Sequence, residues 1–188
     1  MNEIIFVIGG CRSGKSSHAL TLAEEIPGNR KIFIATCVPY DDEMTARVRK
    51  HQQERSRAWT TLEVPIALGE SIAENSPKTD VIVADCLTLW ASNLVLENTP
   101  SEKIAEALQT LTHALKTAQC PVILVSNEVG CGIVPENALA RTFRDIAGAI
   151  NQRAAECADR VIWMVAGIPV VIKTKPSDKS PGYKPKPA

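Results

Sequence analysis

An α/β fold, a mostly parallel sheet with helices on both faces and a hairpin at its C-terminal edge, is the fold class this sequence predicts. Three observations carry the prediction. Short apolar runs rich in Val and Ile alternate with longer helical stretches, as strands joined by crossover helices require. The first run, Ile4-Ile5-Phe6-Val7-Ile8, passes directly into Gly9-Gly10-Cys11-Arg12-Ser13-Gly14-Lys15-Ser16. That is a strand, a glycine-rich loop and a helix start, in the order of a phosphate-binding loop. The composition, 45% hydrophobic with 4% aromatic residues, suits a sheet core of Val, Ile, Leu and Ala.

The elements follow in chain order. Lys15 to Glu25 reads as a helix stopped by Pro27-Gly28-Asn29, and Ile32 to Ala35 as a second strand. Asp41 to Arg55 reads as a charged helix, with Asp41, Asp42 and Glu43 well placed in its first turn against the helix dipole. Thr60 to Val64 is a short extended piece before Pro65, and Val81 to Ala84 a third buried strand. Helical patterns occupy Leu87 to Leu96 and, after Pro100, Ser101 to Ala118. Val122 to Ser126 is a fourth strand, and Asn137 to Ala158 a long helix. Arg160 to Val165 and Ile168 to Lys173 flank Ala166-Gly167 as a closing hairpin. Residues 1–173 read as a single catalytic domain, and Thr174 to Ala188, with four Pro and four Lys, as a disordered tail. A basic docking segment is the other reading of that tail.

The Gly9–Ser16 loop predicts nucleoside triphosphate binding. Gly9 and Gly14 allow positive-φ turns that bring main-chain N–H groups against phosphate oxygens. The helix start at Lys15 adds the positive end of its dipole. Lys15 can reach the β- and γ-phosphates, and the Ser16 hydroxyl can ligate Mg²⁺. Asp85 closes the strand Val81–Ala84, where an acid faces the ligand crevice and can hold the metal directly or through water. Its alternative role is to cap the next helix.

Composition narrows the partners. Lys plus Arg equals Asp plus Glu at 21 each, so no global field favours nucleic acid or an anionic membrane. No apolar run approaches transmembrane length. The six cysteines form no zinc-type spacing and fit reduced thiols in a cytoplasm; Cys86 reads as a small buried hydrophobe. A guanine-reading Asn-Lys-x-Asp motif is absent, which disfavours a switch GTPase; small size and a compact sheet favour a small-molecule kinase.

His51 does not belong to a plain kinase. Arg47 and Arg55, four residues to either side, share its helix face. Such cations keep the imidazole neutral and nucleophilic near pH 7, and beside a phosphorus centre this invites covalent nucleotidyl transfer. The same spacing also fits a histidine packed at a core edge. His18 and His113 are weaker candidates.

With these residues in view, the chain resembles the bifunctional adenosylcobinamide kinase/adenosylcobinamide-phosphate guanylyltransferase family of cobalamin biosynthesis, from about Ile4 to Lys173. The resemblance is carried by Gly9–Ser16, Ile34-Ala35-Thr36, Asp41 to Arg47, His51, Trp59, Glu63, Asp85 to Trp90 and Asn93. It is most specific in Ser126 to Asn137, followed by Arg141, Phe143-Arg144-Asp145, Gly148 and Asn151-Gln152. It implies a RecA-like P-loop fold, a trimer, and His51 as the residue that takes GMP from GTP. It also implies a nucleotide site made from Gly9, Gly10, Cys11, Arg12, Ser13, Gly14, Lys15, Ser16, Ile34, Ala35, Thr36, Gln52, Gln53, Glu54, Arg55, Glu63 and Asp85. The implied reactions are phosphorylation of adenosylcobinamide by ATP or GTP, then GMP transfer to the phosphate. Glu128, Arg141 and Arg144 fit two readings evenly: contacts to phosphate, metal or a corrin side chain, or ties to a neighbouring subunit. A single-function kinase and a GTP-binding regulator without turnover are the rivals.

Overall fold

The computed structural model describes residues 2–38 and 58–174. The helix expected over Asp41–Arg55, with His51, Arg47 and Gln52 to Arg55, and the tail from residue 175 lie outside the described residues.

The described chain runs β1 (Ile4–Gly9), α1 (Lys15–Glu24), β2 (Lys31–Ala35), β3 (Trp59–Glu63), α2 (Leu68–Asn75), β4 (Val81–Asp85), α3 (Leu87–Leu96), α4 (Ser101–Thr117), β5 (Val122–Asn127), α5 (Ala138–Cys157), β6 (Arg160–Val165) and β7 (Ile168–Lys173). One seven-stranded sheet holds them in the order β3-β2-β4-β5-β1-β6-β7. Every pairing is parallel except the β6–β7 hairpin, which is antiparallel. The strand bearing the phosphate-binding loop, β1, and the strand ending in Asp85, β4, are separated by β5 alone. The fold is RecA-like, as the resemblance implies.

Alternation along the strands sends side chains to opposite faces. Ile4, Phe6 and Ile8 of β1 join Ile82, Val122 and Leu124 on one face, packed by residues of α2, α3, α4 and α5. Ile5 and Val7 join Val83, Ile123 and Val125 on the other, where Ala19 and Ala23 of α1 pack. The helices occupy both faces unevenly, with α1 the only described helix on its side. Trp90 of α3 is the bulkiest fully buried side chain. Its indole Nε1 donates to the Ile66 carbonyl at 2.7 Å, which removes the cost of burying that polar group.

Two features depart from the sequence expectations. The extended piece expected over Thr60–Val64 is an edge strand that begins one residue earlier, at Trp59–Glu63, in register with β2 from Lys31–Trp59 to Ala35–Glu63. Helix α2, unassigned by the sequence, packs on α4 so closely that a Cβ on Gly69 would lie 2.7 Å from the Leu111 nitrogen. Gly69 therefore serves close helix approach here, against its low helix propensity. The long helix before the closing hairpin, and the hairpin itself, fall where expected. Asn137 caps α5, its Oδ1 accepting from Ala140 N at 3.0 Å, and Ala166 (φ 51°) and Gly167 (φ 86°) form the hairpin turn. Among the described residues no helix is long and apolar enough to cross a membrane.

Candidate nucleotide and acceptor site

The site lies at the C-terminal ends of the parallel strands, where the connections of an α/β sheet open a crevice. Gly9 ends β1 and pairs in register with Asn127 of β5 and Met164 of β6. Its constraint is space. A Cβ there would collide with the Met164 carbonyl oxygen, and Gly9 does not take the positive φ expected of it. Within the loop that conformation falls to Arg12 (φ 54°) and Gly14 (φ 89°). Gly14 sits at the N-cap of α1, so the free N–H groups of the first turn open onto the loop. The β6–β7 turn braces the loop from outside, Gly167 N donating to Ser13 O at 3.1 Å.

Lys15 is the buried cation of this loop, 7% exposed. Its ammonium donates to the Gly10 carbonyl at 2.5 Å and to Ser13 Oγ at 3.4 Å. Burial lowers its pKa, and the negative charge of Asp85 acts in the opposite sense. The buried ammonium is held by the loop's own acceptors and lies within electrostatic reach of Asp85. Cys11, Arg12 and Gly10 line the exposed rim, whereas Ser13 is buried.

Asp85 lies level with Ala35 on β2 and Val125 on β5. The N-cap of α3 is Cys86, so Asp85 does not hold the capping position that was its alternative role. Cys86 is buried, and its thiol is pushed up to about 12 by desolvation and by Asp85. It is a hydrophobe, not a nucleophile. Ser16 and Asp85 offer hard oxygen donors, and their chemistry fits Mg²⁺, which takes one or two protein oxygens and completes its shell with phosphates and water. Among the described residues no three His, Cys, Asp or Glu side chains cluster as a dedicated metal cage.

Ile34, Ala35 and Thr36 reach the same edge, but their side chains face inward. Ile34 and Thr36 are fully buried. Thr36 N donates to the Asp85 carbonyl at 3.2 Å, and its Oγ1 donates to Cys86 O at 2.7 Å and accepts from Cys86 N at 2.8 Å. Asn93 Nδ2 donates to Thr36 O at 2.8 Å and to Pro65 O at 3.0 Å. Contact from this segment to a ligand would run through main-chain groups. Glu63, at the exposed end of β3, lines an open groove of about 690 Å³ with Glu70 and Glu74 of α2. His18 is half-buried on α1, its pKa lowered by burial and Arg160, and His113 is exposed on α4.

Sequence reasoning missed the bracket that aligns β5 with this edge. Thr88 Oγ1 lies 3.0 Å from Ser126 Oγ and accepts from Asn127 N at 2.6 Å. Asn151 of α5 donates to Asn127 O at 3.2 Å. Glu128 N then donates to Gly9 O at 3.0 Å, which sets the loop over residues 128–137 beside the phosphate-binding loop. Glu128 Oε1 accepts from Gly130 N at 2.5 Å. Arg144 and Arg141, open between two roles in the sequence, grip this loop's own carbonyls. Arg144 donates to Ile133 O (2.7 Å), Gly130 O (2.8 Å) and Gly132 O (3.3 Å). Arg141 donates to Pro135 O (3.0 Å) and Glu136 O (2.5 Å).

Comparison with known proteins agrees with this geometry. The family model described as cobinamide kinase / cobinamide phosphate guanyltransferase matches residues 5–172. The bifunctional adenosylcobalamin biosynthesis protein CobU of Salmonella typhimurium is 42% identical over 182 residues, covering 90% of this chain and 99% of that protein. CobP of Pseudomonas aeruginosa, described in the same words, is 39% identical over 170 residues, covering 90% and 97%. Among solved structures, the flagellar accessory protein FlaH of Methanocaldococcus jannaschii superposes with a TM-score of 0.50 at 14% identity, over 98% of this chain and 82% of its own. That likeness concerns the fold. With the match running from within β1 to within β7 and across both loops, the chain belongs to the cobinamide kinase / cobinamide phosphate guanyltransferase family.

Proposed function

We propose that this protein phosphorylates adenosylcobinamide with ATP or GTP and then guanylylates the product through a histidine intermediate. The observation that carries the proposal is the family match over residues 5–172 laid on a site that holds a buried Lys15 at a helix N-terminus, within electrostatic reach of Asp85. In the first reaction the aminopropanol hydroxyl oxygen bonds the γ-phosphorus and gives up its proton, and the nucleoside diphosphate leaves. In the second, a ring nitrogen of His51 bonds the α-phosphorus of GTP and pyrophosphate leaves. An oxygen of adenosylcobinamide phosphate then takes the GMP, the phosphorus–nitrogen bond breaks and His51 is restored.

This chain's own groups do the positioning. The loop N–H groups and Lys15 hold and neutralise the triphosphate. Main-chain groups of Ile34, Ala35 and Thr36, with Gln52, Gln53, Glu54, Arg55 and Glu63, complete the guanine nucleotide site. Ser16 and Asp85 would hold Mg²⁺, which supplies charge neutralisation at the phosphates. The reaction belongs to the cytoplasm, without nucleic acid, in a homotrimer. The exposed apolar side chains of the closing hairpin, including Trp163, Ile168 and Val171, support assembly with further copies.

GTP labelled on the α-phosphate tests the proposal. Stoichiometric label on the peptide containing His51, with one pyrophosphate released per GMP bound, is the expected result. The adduct should be acid-labile and resist hydroxylamine, as a phosphorus–nitrogen bond does. His51→Asn should abolish it while sparing the kinase step. Kinase activity without label would reveal a single-function kinase, and binding without turnover a regulator; label on His18 or His113 would move the nucleophile.

A further inference from the structure

Residues 128–137 form a loop whose shape is imposed from outside. Five hydrogen bonds from two guanidinium groups on α5 take up the carbonyls of Gly130, Gly132, Ile133, Pro135 and Glu136. What the clamp displays is apolar: Ile133 is 96% exposed and Val134 68%. The two side chains add nothing to the core, and holding them in water forgoes the stabilisation that burial of each would contribute. The loop is joined to the nucleotide site directly, through Glu128 N and Gly9 O.

From this arrangement we infer that Arg144 is a positioning residue for the acceptor substrate. It fixes residues 130–133 as the rim on which the corrin macrocycle rests, with Ile133 and Val134 against the ring. The inference rests on the acceptor being a corrinoid, as proposed above. The chemistry is complementary. A corrinoid has broad apolar ring surface fringed by amide arms, and its reacting hydroxyl must come within about 3–3.5 Å of the phosphorus held over the phosphate-binding loop. A rim continuous with Gly9 is placed to orient it. Arg, not Lys, suits the clamp, because its planar fork donates to several carbonyls at once, whereas an ammonium is a single point on a flexible stem.

The test is steady-state kinase kinetics with adenosylcobinamide on wild type, Arg144→Ala, Arg144→Lys and the double variant Ile133→Ser/Val134→Ser, each also measured for solution mass. The expected result is a rise of at least ~10-fold in KM for the corrinoid in Arg144→Ala and in the double variant, far exceeding any change in KM for GTP. Arg144→Lys should recover little of it. Equal changes in both KM values would mean a general structural role and would overturn the inference. So would an unchanged corrinoid KM, or a loss of oligomer mass in the double variant, which would assign the patch to a second copy. No corrinoid turnover in wild type would overturn the proposed function itself, and the inference with it.

Discussion

Two loops leave adjacent strands of the sheet side by side, and they are built on opposite plans. Residues 9–16 follow β1 and are shaped by the main chain, with Gly9 pressed on Met164, Arg12 and Gly14 in left-handed conformations, and Lys15 turned onto the Gly10 carbonyl. Residues 128–137 follow β5 and are shaped by side chains reaching back from the next helix. The first loop turns donors toward a guest and suits an anion. The second has its carbonyls taken by Arg141 and Arg144 and turns apolar groups outward. A catalyst that joins a triphosphate to a bulky, largely apolar alcohol needs one wall of each kind.

The largest expected effect breaks the first loop. Lys15→Ala removes the cation proposed to meet the β- and γ-phosphates, and both half-reactions should fall at least ~10²-fold. Rates of phosphorylation and of GMP labelling, measured separately, check it; near-normal rates in either would mean that the loop is not shared.

Glycine replacement sharpens the comparison at smaller scale. Gly9→Ala must displace the β6 main chain and should cost about 1–3 kcal/mol in denaturant unfolding. Gly132→Ala, with nothing within 4 Å of the added methyl, should stay within about 0.5 kcal/mol. Equal costs would mean that the two loops are constrained alike.

The smallest effect is chemical. Iodoacetamide at pH 8 should modify the exposed Cys11 and Cys131 and spare the buried Cys86 and Cys120, whose thiols are pushed up to about 12 and about 11 by desolvation. The thiolate fraction of each remains negligible there. GTP should protect Cys11, in the phosphate-binding loop, and leave Cys131 reactive. Peptide mapping by mass spectrometry reads both outcomes.

The two loops also differ in how far the sequence disclosed them. The phosphate-binding loop was legible because its chemistry acts through the main chain and a fixed spacing, and strand β1 and helix α1 followed from the same residues. The sheet was legible because buried parallel strands leave short β-branched runs such as Val81–Ala84. Helix α2 was not, because its interior Gly69 suits contact with Leu111 in a distant helix and lowers local helix propensity. The Arg144 clamp was not legible either, since a guanidinium on a helix surface says nothing of which carbonyls it meets eleven to fourteen residues earlier. Thr36 belongs to the segment expected at the nucleotide, yet its side chain is spent on Cys86, a distinction between main-chain and side-chain service that no spacing discloses.

The division of labour between the loops has one direct measurement. Of the two loops, pyrophosphate release from GTP with no corrinoid present engages only the phosphate-binding one, and rapid-quench rates can be compared for Lys15→Ala and Arg144→Ala. The account predicts a loss of at least ~10²-fold in Lys15→Ala and a far smaller change in Arg144→Ala, whose defect emerges only when the corrinoid is added. Matching losses in the two variants, before any corrinoid is present, would contradict it.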